Sequence, residues 1–479
     1  MKAIVRLIVL ITGFTMVACS DGSDRKPAPM VPVPEISGPI NNGSRGFPAT
    51  PAVVDLAAVG YVEEEFFVKG IARAFEPDGD WGVDGIWPVK EVSSADYKTR
   101  ILVRRPTDAS DFSGVVVVEW FNVTSEIDLD VDFNFLSEEI LRSGHAWVGV
   151  TAQAISIVSN GTGPLGPDVL GLMAWDSARY ESLFHPGDAY SYDIYSQVGA
   201  ALKATRGAGP LGGLEPEVLL ANGESLSAFR MLTYVNAIHR GALAYDGFLI
   251  HSRNGTGAEV NDGVPVPAPA RVRTDLQAPV FQFITETDLF GLGGGDRAFP
   301  RARQPESQTV HTWEVAGTAH ADAFSLAQLN KQGNLQFDSF LDLSSVLTIV
   351  NSAPQNLAMN TALRALVNWV RTGESPPSAP PIETLNDAIL RDVHGNALGG
   401  VRLPHVEVPV AVQSGEGPIR LSGQTIPFEQ AKLDAMYPSA QAYIDSVEAA
   451  AQSAVEDGFL LAIDAEKLVH WARENPPVE

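Results

Sequence analysis

The chain has 479 residues, of which 45% are hydrophobic and 19% are charged. This balance supplies enough apolar material for a large core and excludes an intrinsically disordered chain. The formal net charge of −25 argues against binding of nucleic acid, or of anionic membranes, through a general basic surface.

Residues 1–18 have the composition of an export signal. Lys2 and Arg6 precede a 12-residue apolar run over residues 7–18, which is too short to span a bilayer, since a membrane helix needs about 20 residues. The chain's only cysteine, Cys19, follows directly; it excludes an intramolecular disulfide and resembles the lipidated cysteine of a bacterial lipobox. Because Ser20 stands where inner-membrane retention usually has aspartate, we expect a lipid anchor in the outer membrane. The alternative is an ordinary signal peptide with an incidental cysteine.

The segment after the cysteine differs in composition from the rest of the chain. Residues 19–50 are rich in proline, glycine, serine and asparagine, which is typical of an extended linker. We therefore expect a flexible tether over residues 19–50 and one folded domain over residues 51–479.

The first part of this domain shows a regular alternation of strand and helix patterns. Two alternating strands come first, and six largely apolar strands follow, as expected for strands buried on both faces. The predicted strands are Val62–Ala74, Tyr97–Arg105, Gly114–Glu119, His145–Thr151, Glu217–Asn222, Tyr245–Ile250, Pro279–Thr285 and Thr309–Val315. The predicted helices between them are Phe133–Ser143, Ala189–Arg206 and Ser225–Arg240. This order predicts an α/β fold, with a mainly parallel sheet and helices on both faces.

The last part of the chain, from about residue 325 to 479, is expected to pack on this core as a C-terminal extension that covers the site. A helical stripe over residues 363–370 ends at Gly373. A hairpin is predicted over residues 388–412, and helices over Phe428–Ala451 and Ala465–Arg473. The segment 253–271, rich in glycine, valine and proline, occupies the position of an inserted lid.

The junction Gly223-Glu224-Ser225-Leu226-Ser227 carries the strongest chemical signal, because a buried strand ends and a helix begins there. It matches the nucleophile elbow G-x-S-x-G, with serine in place of the second glycine. Small residues two positions before and after the central serine let the strand and helix approach, and the turn exposes its hydroxyl. The backbone N–H of Leu226 would then stabilise an oxyanion. The alternative is a helix that merely begins with an N-cap serine.

Two later segments complete a possible catalytic triad. The fifth apolar strand ends in Glu286-Thr-Asp288, and acids at strand ends face the ligand edge of such sheets. We expect Asp288 to orient the imidazole, with Glu286 as the alternative acid. His320 follows the sixth strand in a loop of small residues. The order Ser225, Asp288, His320 is the chain order of α/β hydrolases, although each residue alone has a purely structural interpretation.

The loop after the first apolar strand is expected to supply the second oxyanion donor. We assign this donor to the backbone N–H of Phe121 or Asn122, while the Asn122 side chain has the alternative role of bracing the loop.

The aspartates at 128, 130 and 132, with Glu139, imitate the spacing of a calcium loop. Phe133 replaces its obligatory glycine, so we predict no metal. The sequence also carries no cofactor fingerprint, so no cofactor is predicted.

Several segments together resemble a bacterial family of α/β-hydrolase-domain proteins of largely undefined substrate. They are VVVVEWFNVTS (115–125), AWVGVTAQ (146–153), DSARYESLFHPGDAYSYDIYSQ (176–197), NGESLSAFR (222–230), YDGFLIHSR (245–253), ITETDLFG (284–291), EVAGTAHAD (314–322) and RDVHGNALGGVRLPHVEVPVA (391–411). The resemblance implies the α/β-hydrolase fold and the triad Ser225, Asp288 and His320. The elbow of this family more often carries glutamine where this chain has Glu224.

These features predict a serine hydrolase that cleaves small-molecule carboxylic esters through an acyl-enzyme. One alternative keeps the triad but cleaves amides or peptides. Another is a non-catalytic, surface-binding lipoprotein on a hydrolase scaffold.

Overall fold

A computed structural model describes residues 31–204 and 209–479. The predicted export signal, Cys19 and the first part of the predicted tether lie outside the described residues.

A twisted sheet forms the centre of the molecule. In chain order the strands of the described residues are β1 (Glu35–Ser37), β2 (Tyr61–Pro77), β3 (Val89–Pro106), β4 (Val115–Trp120), β5 (Ala146–Val150), β6 (Val218–Glu224), β7 (Gly247–His251), β8 (Val280–Thr285), β9 (Val310–Val315), β10 (Thr384–Leu385), β11 (Ala388–Ile389), β12 (Ala411–Ile419) and β13 (Gly423–Pro427). The first nine form one sheet in the order β1-β2-β3-β5-β4-β6-β7-β8-β9, and β10–β11 and β12–β13 form two separate hairpins.

The sheet has an antiparallel and a parallel part. Strands β1, β2 and β3 pair in antiparallel fashion, and β3 joins β5 in the same way. Strands β5, β4, β6, β7, β8 and β9 pair in parallel. The predicted mainly parallel α/β sheet is therefore confirmed, and its six parallel strands are the six apolar segments.

Helices cover both faces of this sheet. The α-helices of the described residues are α1 (Val131–Arg142), α2 (Ile155–Val158), α3 (Leu172–Trp175), α4 (Ser177–Tyr180), α5 (Ser191–Ala204), α6 (Leu226–Thr233), α7 (His239–Ala242), α8 (Phe299–Ala302), α9 (Ala323–Gln336), α10 (Ser344–Leu347), α11 (Gln355–Thr372), α12 (Pro404–Glu407), α13 (Gln430–Met436), α14 (Ala440–Glu456) and α15 (Ala462–Glu474). A π-helical turn, Tyr234–Ile238, joins α6 to α7.

The hydrophobic core consists of two layers separated by the sheet. Val116 and Val118 of β4 pack with residues of α5 and α6, whereas Val115 and Val117 pack with residues of α1 and α11. Successive side chains of a strand point to opposite faces, so a strand with four consecutive valines is buried on both sides.

The tether predicted over residues 19–50 is wrong for residues 31–50. Strand β1 pairs with Phe67–Lys69 of β2, and the carbonyl oxygens of Ala49 and Thr50 accept hydrogen bonds from Arg100 and Arg104. These long-range contacts bind the segment to the sheet despite its linker-like composition.

Two predictions in the C-terminal extension also need correction. The hairpin predicted over residues 388–412 is replaced by the two short hairpins β10–β11 and β12–β13. Isolated bridges join Arg391 to Ala397, Ile382 to Gly399 and Val315 to Val401. The helix predicted over Phe428–Ala451 is divided into α13 and α14. Pro438 lies at the break, where it lacks the N–H that a continuous helix needs.

Candidate active site

Ser225 lies in a strained turn between β6 and α6. Its φ of +56° falls in the left-handed region that non-glycine residues rarely adopt. A Cβ added at Gly223 would come within 3.0 Å of the backbone carbon and oxygen of Ser227, so the turn needs a glycine at that position. The Ser227 hydroxyl donates a hydrogen bond to the carbonyl oxygen of Phe121, which fixes the start of α6 against the neighbouring loop.

The structure brings Ser225, His320 and Asp288 into contact in the predicted order. Nε2 of His320 lies 2.8 Å from Oγ of Ser225, and Nδ1 of His320 lies 2.8 Å from Oδ1 of Asp288. All three side chains are buried, with Ser225 the most exposed at 9%. A hydroxyl, an imidazole and a carboxylate in this geometry can pass a proton from the hydroxyl to the ring.

Asp288 and Glu286 have different partners, and only Asp288 contacts the imidazole. Oδ2 of Asp288 accepts a hydrogen bond from the N–H of Thr285, which fixes the carboxylate at the end of β8. Glu286 instead accepts hydrogen bonds from the N–H groups of Gly317 and Gly415 and pairs with Arg391. The alternative acid therefore anchors the loop that carries His320.

The predicted second oxyanion donor needs correction. The N–H of Phe121 donates to the carbonyl oxygen of Val150, and the N–H of Asn122 donates to that of Leu129. Both groups are therefore occupied by the backbone. The N–H of Leu226 differs, because it lies in the first turn of α6, where backbone donors lack a partner within the helix.

The side chain of Asn122 braces the elbow. Its amide nitrogen donates to the backbone oxygen of Glu224 and to Oε2 of the same residue, at 3.1 and 2.8 Å. Its amide oxygen accepts from the N–H of Thr124. All of these contacts are internal to the loop and the elbow, which matches the bracing role considered for Asn122.

Glu224 contacts the same imidazole nitrogen as Ser225. Its Oε1 lies 3.1 Å from Nε2 of His320. Burial raises the pKa of Glu224 to about 7, although His320 and His251 oppose the rise. Burial lowers the pKa of His320, but Glu224 and Asp288 outweigh that effect and the pKa is raised.

A pocket of about 160 Å³ opens beside Ser225 and His320. Its apolar lining comes from Leu129, Val131, Ala321, Leu326, Leu329 and Leu421, and its polar lining includes Thr124, Ser125, Asp130, Asn134 and Gln332. The segment 253–271, predicted as a lid, contributes no lining residue; α9 occupies this position instead. Helix α9 was not predicted, although an N-cap residue, Asp322, followed by leucines at 326 and 329 is a pattern that indicates a helix.

A larger cavity of about 490 Å³ lies elsewhere, lined by Arg73, Trp87 and Arg273 among others. None of the predicted site residues lines it, and Arg73 is already paired with Asp193.

The three aspartates that imitate a calcium loop point to separate basic partners. Asp128 pairs with Arg100, Asp130 with Arg104, and Asp132 with His251. Within residues 31–204 and 209–479, no group of three or more metal-binding side chains converges on a common point.

Comparison with known families agrees with the sheet topology. A family model described as an alpha/beta hydrolase domain matches residues 36–470. The chain belongs to this family. No curated protein sequence matches this α/β hydrolase. In the described part of the chain, no helix combines the length and the apolar character needed to cross a membrane.

Solved structures similar to this α/β hydrolase include a serine hydrolase and two esterases. An α/β serine hydrolase without a lid from Xanthomonas campestris is 15% identical, with 55% of this chain and 92% of that chain covered and a TM-score of 0.27. The esterase Est22 is 13% identical, with coverages of 65% and 81% and a TM-score of 0.32. A glucuronoyl esterase from Solibacter usitatus is 8% identical, with coverages of 64% and 86% and a TM-score of 0.29.

Proposed function

We propose that this α/β hydrolase is a serine hydrolase that cleaves carboxylic esters of small molecules. The observation that carries the proposal is the continuous contact from Ser225 through His320 to Asp288, at 2.8 Å in each step. A binding protein has no need of a hydroxyl in a strained turn that is hydrogen-bonded to a carboxylate-oriented imidazole.

In the proposed reaction, Oγ of Ser225 attacks the ester carbonyl carbon while Nε2 of His320 takes the hydroxyl proton. The N–H of Leu226 stabilises the oxyanion, and Asp288 stabilises the imidazolium that forms. His320 then gives the proton to the alcohol oxygen as the carbon–oxygen bond breaks. Water then attacks the acyl-enzyme while His320 takes its proton. The carboxylic acid leaves, and Ser225 regains its proton from His320.

The pocket beside Ser225 supports an acyl group with an apolar chain. Its volume is about 160 Å³, and leucines 326, 329 and 421 supply apolar contact. We therefore expect an aliphatic acyl group.

Labelling with a fluorophosphonate probe tests the proposed nucleophile. Ser225→Ala is expected to abolish both labelling and hydrolysis of p-nitrophenyl acetate. Ser227→Ala is the matched control, because it removes a hydroxyl two residues away that donates to the Phe121 carbonyl, and it should keep labelling. Absence of labelling in the unaltered protein would favour a non-catalytic binding protein, and turnover of peptide anilides without turnover of esters would favour an amidase.

The location of the enzyme is a separate proposal that rests on residues 1–19 of the sequence. We propose export and lipidation at Cys19, with anchoring in the outer membrane by acyl chains. In fractionated cells, the unaltered protein is expected in the membrane fraction and Cys19→Ala in the soluble fraction. Retention of Cys19→Ala in the membrane fraction would contradict the proposal.

A further inference from the structure

Two oxygen atoms from adjacent residues approach one nitrogen of the catalytic imidazole. Nε2 of His320 lies 2.8 Å from Oγ of Ser225 and 3.1 Å from Oε1 of Glu224. The other imidazole nitrogen is occupied by Asp288. His320 therefore lies between two buried carboxylates, and one of them competes with the nucleophile for the nitrogen that must act as the base.

Glu224 is held in this place from several sides. Asn122 of the neighbouring loop donates to its Oε2, and Glu224 itself ends β6, next to His251 of β7. The ionisable groups that influence its carboxylate are His320, His251, Asp132 and Asp288. His251 is occupied by Asp132, at 2.7 Å, and by the Gln355 amide, so His320 remains the partner with which Glu224 shares a short contact.

A further buried carboxylate interacts with His251. Asp322 follows His320 by two residues and is buried, and burial raises its pKa to about 7, with His251 opposing the rise. Its Oδ1 caps α9 through the N–H of Ser325, so its hydrogen bond is directed toward the helix.

An oxygen 3.1 Å from an imidazole nitrogen is within hydrogen-bonding distance, which favours a proton between the two atoms. With a neutral imidazole and an ionised Glu224, the nitrogen lone pair would face a carboxylate oxygen without a proton, which is unfavourable in a buried site. One proton removes the conflict, either as an imidazolium bound to a carboxylate or as a carboxylic acid bound to a neutral imidazole. In both arrangements Nε2 is engaged and cannot accept the proton of Ser225.

We infer that Glu224 is a positioning residue that holds a proton on Nε2 of His320, and that Ser225 becomes reactive only after this proton has left to water. This inference rests on the proposed serine hydrolase function. The step is a simple ionisation: the Glu224–His320 pair loses one proton, Glu224 stays a carboxylate, and the neutral imidazole accepts the hydrogen bond of the Ser225 hydroxyl.

The shifted pKa values agree with a shared proton. The pKa of Glu224 is raised to about 7 by burial, and the pKa of His320 is raised because the two carboxylates outweigh its burial. A raised pKa means that His320 stays protonated to a higher pH, so the acid limb of the activity profile lies higher than for an ordinary histidine. The same carboxylate stabilises the imidazolium that forms when Ser225 attacks, so it also strengthens the base once the proton has left.

The test is the pH dependence of fluorophosphonate labelling and of kcat/KM on p-nitrophenyl acetate. Glu224→Gln and Glu224→Met both remove the charge, one with and one without a hydrogen-bonding group. An opposite charge at such a distance shifts a pKa by about 1–3 units. We therefore expect the midpoint of the acid limb to fall by about one pH unit or more in both variants, and the plateau to fall because the base is weaker.

The matched control is Glu314→Gln. Glu314 is a buried carboxylate at the end of β9 that pairs with Arg303 and accepts from the N–H of Ile382, so it lies outside the His320 contacts. Glu314→Gln should keep the acid-limb midpoint of the unaltered enzyme. Equal midpoints in the unaltered enzyme and both Glu224 variants would overturn the inference while leaving the hydrolase proposal intact. Absence of Ser225 labelling at every pH would overturn the hydrolase proposal itself.

A measurement on the unaltered protein keeps the inference testable if the variants do not fold. In ¹⁵N-histidine-labelled protein, the His320 resonance is identified by its loss in His320→Gln. We expect it to keep the chemical shift of a protonated ring above pH ~6.5, the ordinary histidine value. Titration at or below that value would overturn the inference.

Discussion

Buried carboxylates occur in two regions of this molecule, and their partners differ. At the antiparallel part of the sheet, Arg100 of β3 lies 2.8 Å from Glu65 of β2 and 2.9 Å from Asp128. Arg104 of β3 pairs with Asp130, and both aspartates lie in the loop before α1. These side chains are fully buried. Arginine keeps its proton throughout the accessible pH range, so the charges of this region are fixed and their function is structural.

At the carboxyl edge of the parallel part, the partner is a histidine. Glu224 and Asp288 both contact His320, on opposite sides of the ring. Histidine gains and loses its proton near neutral pH, so the charge of this group changes with its environment. Burial is similar in the two regions, and the difference in chemistry comes from the basic partner. Changing one carboxylate or one basic partner at a time tests this difference between the two regions.

The largest effect is expected at the reactive edge, for Asp288→Asn. This change keeps the shape but lets the side-chain amide stabilise the wrong tautomer of His320. We expect kcat for ester hydrolysis to fall by about 10⁴-fold, with little change in thermal stability. The measurement is steady-state hydrolysis of p-nitrophenyl acetate.

Glu286→Gln is the control for Asp288→Asn. It alters a buried carboxylate in the same turn, which binds the N–H groups of Gly317 and Gly415 and not the imidazole. Its effect on kcat should be much smaller than that of Asp288→Asn. Comparable losses of kcat in the two variants would contradict the proposal that Asp288 orients the His320 imidazole.

The next effect is expected in the structural region, for Arg100→Met. Removal of this guanidinium leaves Glu65 and Asp128 buried beside an apolar side chain. Breaking a buried ion pair in this way costs about 3–5 kcal/mol of unfolding free energy, which urea denaturation measures. The activity of each folded molecule, and the pH midpoint of labelling, should stay unchanged, because the contacts of His320 are untouched.

Arg301→Met provides the comparison for the same chemical change at the surface. The side chains of Arg301 and Asp387 are 54% and 56% exposed, and exposed pairs contribute about 0–1 kcal/mol. If Arg100→Met lowered the unfolding free energy as little as Arg301→Met, the buried arginine network would not be a structural element.

The parallel strands and the elbow were predictable because their signals are local. All six residues of β4 are buried, and a run of four valines indicates a strand covered on both faces. The strained conformation of Ser225 was likewise indicated by the small residues Gly223 and Ser227 at a fixed spacing. Because the carboxyl ends of parallel strands share one edge, residues far apart in sequence could be expected to meet there.

The sequence predictions were wrong for segments whose structure depends on contacts with residues far away in the sequence. Residues 35–37 pair with a strand some thirty residues later in the chain, and nothing in their own composition indicates it. The N–H groups of Phe121 and Asn122 are occupied by carbonyl oxygens of Val150 and Leu129, which only the folded loop brings near. Only the folded chain likewise brings Glu224 into contact with His320. By contrast, the break between α13 and α14 had a local signal in Pro438.

The smallest predicted effect concerns the apolar part of the pocket wall, which leucines form. Leu329 of α9 lines the pocket beside Ser225, so Leu329→Ala enlarges it. One methylene in an apolar pocket changes specificity by about 10–200-fold, and we expect the preferred p-nitrophenyl ester to shift toward longer acyl chains. Leu335→Ala, on the same helix but 55% exposed, should leave the preference unchanged. An unchanged preference in Leu329→Ala would mean that the acyl group binds elsewhere, and the proposed contact between the acyl chain and the leucines of this pocket would then be wrong.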